Sequence, residues 1–95
     1  MTIKVKIPTP LRSLTQDQGL VSISATNVES AINELEKQFP GIKERVCEED
    51  GSLRRFVNIY INGEDIRFLD DLQSSIKDND ELSIVPAVAG GTIEI

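Results

Sequence analysis

The chemistry this chain offers is concentrated at its end, where Val85 to Ile95 read VPAVAGGTIEI. Ala87, Val88, Ala89, Gly90 and Gly91 form a short run with nothing bulkier than Val88. Extended, it reaches at most about 17 Å past Pro86, at ~3.4 Å per residue. Such a tail can thread into a narrow active site while a folded body docks outside. Glycine lacks a Cβ, so a catalytic wall can close on its backbone. Thr92-Ile93-Glu94-Ile95 then follow the glycines. Gly90-Gly91 is therefore open to two uses: a turn feeding one more strand, or a reactive terminus not yet exposed.

No other constellation supplies chemistry. The chain has no histidine, which removes the commonest general base and metal ligand. Cys47 is the single cysteine. It has no base to activate it, and Glu48 and Glu49 beside it would raise its pKa, so it reads as a small packed or half-exposed structural residue. The acidic groups Glu48-Glu49-Asp50, Glu64-Asp65, Asp70-Asp71 and Asp78 to Glu81 lack the calcium-loop spacing and read as solvated turns and helix starts. Some could also dock a basic partner. Gly90-Gly91 has neither the lysine nor the following helix of a phosphate-binding loop. Arg54, Arg55 and Arg67 read as solubilising surface side chains near a sheet, with contact to a partner or nucleotide as the weaker alternative. These residues predict no catalytic group and no metal site.

The bulk composition fits that reading. A length of 95 residues suits one domain. A net charge of −6 repels phosphate backbones, which argues against nucleic-acid binding and favours partners with a basic patch. The N-terminus alternates apolar and polar residues, unlike a signal peptide, and no run reaches membrane-spanning length. With one cysteine and no leader, a soluble cytoplasmic protein is expected.

The elements that must position the tail follow from periodicity. Ile3, Val5 and Ile7 alternate with polar residues and predict a strand, stopped by Pro8-Thr9-Pro10. Leu11 to Gly19 is polar and turn-rich, and Leu20 to Ser24 is a second strand. Thr26 with Glu29 three positions on has the capping-box spacing. Val28, Ala31, Ile32, Leu35 and Phe39 then make one apolar helical stripe, ended by Pro40-Gly41. Ile42 to Val46 suggests another short turn. Phe56 to Ile61 predicts a third strand, Asn62-Gly63 a tight hairpin turn, and Glu64 to Phe68 a short fourth strand. A brief helical turn starts at Asp70-Asp71-Leu72. Glu81 to Val85 is the fifth strand, closed by Pro86. The order β-β-α-β-β-β with one main helix is an α+β arrangement. It becomes a β-grasp, with a mixed four- to five-stranded sheet, if the last strand lies parallel beside the first. Residues 1–86 form the domain, 87–91 the tail and 92–95 a C-terminal extension.

Three stretches resemble the ThiS/MoaD family of ubiquitin-like sulfur carriers, in particular its cysteine-biosynthesis branch. They are MTIKVKIPTPLR from Met1, RFVNIYINGEDIRF from Arg55, and VPAVAGG from Val85 to Gly91. The combination of the RFVNIYIN strand and the PAVAGG tail is specific; neither alone is. The resemblance spans Met1 to Gly91 and implies a β-grasp fold. It implies that the Gly91 carboxylate is adenylated by an E1-like enzyme using ATP and is then converted by a sulfur donor to a thiocarboxylate. In the cysteine branch it further implies hand-over to a pyridoxal-phosphate-dependent cysteine synthase and release by a JAMM-type zinc peptidase. The carrier itself would catalyse nothing and hold no cofactor. Two features depart from the pattern. Asn79 stands where family members often have glycine, a change that a residue tolerant of left-handed backbone should absorb. Thr92 to Ile95 lock the Gly91 carbonyl in an amide, so the chain is expected to be a precursor cut between Gly91 and Thr92. Other readings of the same tail stay open. They are a ubiquitin-like modifier conjugated through Gly91, a thiamin or molybdopterin sulfur carrier, and a β-grasp interaction module whose last residues merely pack on the body.

Overall fold

The computed structural model describes residues 2–86. Strand β1 (Thr2–Lys6) pairs antiparallel with β2 (Leu20–Ser24), with Val5 opposite Val21. Helix α1 (Val28–Gln38) and the short α2 (Ile42–Val46) follow. Strand β3 (Val57–Ile61) turns through Asn62-Gly63 into β4 (Glu64–Asp65), and β5 (Glu81–Pro86) closes the described chain. The sheet order is β2-β1-β5-β3-β4. The last strand enters the middle, parallel to β1 and antiparallel to β3. With α1 packed on one face, this is the β-grasp arrangement, and the conditional pairing of the last strand with the first is met.

Period-two burial explains the layers. Ile3, Val5, Val21, Ile23, Val57, Ile59, Ile61, Leu82 and Ile84 all point inward and are buried. From the other side Val28, Ala31, Ile32 and Leu35 of the helical stripe close the core, with Phe39, Ile42 and Val46 filling one end. Aliphatic side chains dominate, as the shortage of aromatics requires.

Several local expectations are corrected. Asn27, not Thr26, caps α1: its side chain accepts from the Ser30 N–H at 2.8 Å, and the Ser30 hydroxyl accepts from the Asn27 N–H at 3.1 Å. The capping box has slid by one residue because Asn27 adopts the extended cap backbone and serine can replace glutamate in the reciprocal bond. The polar stretch after Pro8 contains a 3-10 helix, Thr9–Leu14, that buries Leu11. Strand β3 starts at Val57 rather than Phe56, after a turn in which the Val57 N–H donates to the Arg54 carbonyl. Strand β4 stops at Asp65, whose carboxylate accepts from the Arg67 N–H at 2.9 Å and turns the chain into a 3-10 turn. Ile66 is thereby buried while Phe68 is 87% exposed. Asn62 (φ 50°) and Gly63 (φ 89°) both take the left-handed backbone that their pair predicts, and Asn79 does so at φ 71°.

Candidate functional site: the root of the C-terminal tail

Ala87, Val88, Ala89, Gly90, Gly91 and Thr92, the residues expected to carry the chemistry, lie outside the described residues, as does the 92–95 extension. What is described is the strand they leave from. In β5, Leu82 and Ile84 face the core, and Ser83 and Val85 face out. Pro86 is the last residue, opposite Val57. Proline has no N–H to give the ladder, so pairing weakens where the tail begins. Because β5 is central, the root is braced from both sides: Lys6 stands opposite Ser83 on β1, and Asn58 opposite Val85 on β3.

Two open grooves flank the root, and Pro86 lines both. One is bounded by Ile7, Pro8, Pro10 and Arg12 with Ser83 to Pro86. Its wall is set by Arg12, whose Nε donates to the Ile7 carbonyl at 3.1 Å. Buried Thr15 fixes the turn behind it by donating to the Gln18 carbonyl at 2.8 Å. The other groove is bounded by Glu48, Arg54, Arg55, Phe56 and Val57. Periodicity held the signal for this exposure. Val57, Ile59 and Ile61 are the buried parity of β3, so Phe56, just ahead of the strand, projects with Asn58 and Tyr60 away from the core.

The other candidates fall into structural roles. Cys47 is buried and bridges to Leu53. Burial is the main influence pushing its thiol pKa up; Lys43 and Arg54 oppose it, and Glu29 and Glu48 add less. The expected direction holds, but the dominant cause is desolvation rather than the neighbouring glutamates. Several of the acidic turns hold their own carboxylates. Asp50 accepts from the Ser52 hydroxyl at 2.6 Å, Asp65 from Arg67, and Asp80 from the Lys77 N–H at 2.8 Å. Glu36, not singled out by sequence, accepts from the Lys43 N–H at 2.9 Å and the Gly41 N–H at 3.2 Å, bracing the start of α2. Among the described residues no three histidine, cysteine, aspartate or glutamate side chains are placed to hold a metal ion. No described helix is long and apolar enough to cross a membrane.

Known proteins share this geometry. The ThiS family model matches residues 5–91. The sulfur carrier protein CysO of Mycobacterium tuberculosis is 46% identical over 93 residues, covering 96% of this chain and all of that one. The small archaeal modifier protein 3 of Haloferax volcanii is 34% identical over 64 residues, covering 67% of this chain and 68% of that one. Among solved structures, the Amycolatopsis orientalis BexX/CysO complex contains a chain that superposes with a TM-score of 0.88 at 43% identity, covering 94% of this chain and 99% of that one. With a β-grasp sheet that sends its central strand into a di-glycine tail, and a family match running from β1 to Gly91, the chain belongs to the ThiS family.

Proposed function

We propose that this protein is a cytoplasmic sulfur carrier, made as a precursor, whose Gly91 carboxylate is the working group. The extension Thr92 to Ile95 is first removed by hydrolysis of the Gly91–Thr92 amide, a reaction suited to a JAMM-type zinc peptidase. An E1-like enzyme then joins the freed carboxylate to the α-phosphate of ATP, releasing pyrophosphate and leaving an acyl-adenylate. A sulfur donor displaces AMP and leaves a thiocarboxylate on Gly91. A pyridoxal-phosphate-dependent cysteine synthase is the proposed acceptor of that sulfur. The carrier's own part is mechanical: the β-grasp body docks, and the slim Ala87–Gly91 segment delivers its terminal carbon into the partner's cleft.

The observation that carries this reading is the family match ending at Gly91 in a chain 46% identical to a CysO sulfur carrier. That match leaves Thr92 to Ile95 outside it, as a removable extension would be. Intact-mass analysis of the protein from its native cells tests the reading. The expected species ends at Gly91, and a fraction of it is heavier by one sulfur-for-oxygen exchange. If no species ending at Gly91 ever appears, the carrier reading fails.

A second reading draws on the 34% identity to a small archaeal modifier protein. The same activated Gly91 would then form isopeptide bonds with lysines of other proteins. Higher-mass adducts carrying a Gly-Gly remnant on lysine would favour it, and a free thiocarboxylate would favour the carrier.

A further inference from the structure

The two edges of the sheet are built differently. At one edge β4 has only two residues, both acidic, and the Asp65 carboxylate turns the chain away at once. Short, charged strands of this kind protect an edge from further pairing. At the other edge β2 runs for five residues as LVSIS, with no charge and no proline. Its register with β1 is continuous, from Lys6 opposite Leu20 to Thr2 opposite Ser24, so no bulge interrupts it. The hydrogen-bond phase is fixed by the Ile7 N–H, which donates to the Gly19 carbonyl at 2.9 Å. Bonded pairs alternate in an antiparallel ladder, so Val21 and Ile23 turn their backbone groups toward Val5 and Ile3. The N–H and C=O groups of Leu20, Ser22 and Ser24 point the other way, out of the edge. No strand among the described residues takes them.

We infer that the outer edge of β2 pairs with the β2 of a second copy of this chain, antiparallel about a twofold axis through Ser22. The alternation of the ladder argues for this occupant. A twofold through one residue requires that residue to offer both of its backbone groups outward, and Ser22 does. Leu20 then meets Ser24 of the second copy, Ser22 meets Ser22, and Ser24 meets Leu20, each pair exchanging both bonds. The side chains along the seam suit each other. Leu20 is 50% exposed and gains a small neighbour, Ser22 and Ser24 are exposed, and none of the three is charged. The nearest lysines, Lys4 and Lys6, lie on β1, opposite Ser22 and Leu20. Lys4 and its copy are then three strand spacings apart, roughly 14 Å, well past the ~8 Å screening length of physiological salt. An edge of five residues buries less than the ~1,200 Å² of a standard interface, so the dimer is weak and reversible, with Kd on the order of 100 μM. The inference stands apart from the carrier reading and leaves the tail free. Strand β5 lies two places in from the edge, and Pro86 is at the Leu20 end of the sheet. Antiparallel pairing sets the two Leu20 ends apart, so the two tails leave from opposite ends of the joined sheet.

Sedimentation equilibrium of the full chain, read together with amide hydrogen exchange, is the test. Self-association is expected with Kd on the order of 100 μM, tightening as salt screens the two acidic bodies. Exchange at the Leu20, Ser22 and Ser24 amides is expected to slow as concentration rises, with Val21 and Ile23 slow throughout. S22E sets two carboxylates against each other at the axis, and S22K two ammonium groups. Each is expected to weaken the dimer about fivefold or more, with melting temperatures within a few degrees of the native value. An equimolar mixture of S22E and S22K places opposite charges together and is expected to restore the association. A chain that stays monomeric at about 1 mM, tenfold above that Kd, overturns the inference, whether the edge is left free or is covered by the chain's own C-terminal residues. A dimer whose Leu20, Ser22 and Ser24 amides still exchange freely, or that both S22E and S22K leave intact, forms through another surface and overturns it equally.

Discussion

Val57 and Pro86 face each other at the end of the antiparallel β3–β5 ladder, and from that pair the tail departs. The tail is thus rooted in a central strand, flanked by β1 and β3, and its origin is held by the core. Ile84, two residues before Pro86, is 2% exposed and supplies much of that hold. Ile84→Ala should lower stability by about 2–4 kcal/mol through lost burial and the cavity left behind. Urea unfolding should show a lower midpoint with an unchanged slope; a loss below about 1 kcal/mol would mean that β5 is less tightly built in than its register indicates.

The shifted capping box gives a sharp contrast. Asn27→Ala removes the acceptor for the Ser30 N–H and should cost about 1 kcal/mol. Thr26→Ala, at the position that spacing alone favours, should stay within about 0.5 kcal/mol, since the described bonds of Thr26 use its backbone. Thermal melts of the two variants decide between the caps. Equal losses would restore Thr26 to the role.

Gly63 sits at φ 89° in the β3–β4 turn with open space around it, so an added Cβ would meet no atom within 4 Å but would strain the backbone. Gly63→Ala should therefore cost roughly 1–2 kcal/mol through left-handed strain alone. Gly63→Asn should recover part of that loss. An alanine variant as stable as the native chain would show that the turn can relax to another type.

These cases show which features the sequence disclosed. Strand phase, the helical stripe and the Asn62-Gly63 turn were legible because each rests on side chains of neighbouring residues. The ends of elements were less so. Phe56 and Phe68 are strand-favouring residues that lie outside strands, because the Arg54–Val57 turn and the Asp65 cap decide where pairing begins and stops. The pairing of β5 beside β1 depends on contacts between opposite ends of the chain, which no local period records. The di-glycine stood out by elimination, whereas the groove of Arg55 and Phe56 at its root needed the sheet order to bring residue 57 against residue 86.

Acid sensitivity follows from the capping carboxylates. Glu36 is held below its usual pKa by the Lys43 N–H first and the Gly41 N–H second; Asp50 and Asp80 are lowered by their own turn donors. A carboxyl whose folded pKa is depressed stabilises the fold above its unfolded value, and that contribution fades as pH falls toward the folded value. Stability should therefore decline below about pH 4.3, the ordinary glutamate range. Glu36→Gln, which keeps an acceptor but cannot titrate, should make that decline shallower. Parallel pH profiles for the two proteins would remove Glu36 from the account.

The Gly91–Thr92 bond can be tested independently of any sulfur transfer. Thr92→Pro replaces the scissile amide with a tertiary one that has no N–H and a fixed φ, a poor fit to a cleft shaped around an ordinary peptide. In cells the variant should accumulate at full length, with no thiocarboxylate and no conjugates, while its melting temperature stays within a few degrees of the native value. The same cells given the chain already ending at Gly91 should recover the modified species, because the block lies only at the cut. Failure of that truncated chain to become modified would place the fault in activation. Normal modification of Thr92→Pro would show that the extension is removed elsewhere, or by an enzyme indifferent to the residue after the glycine.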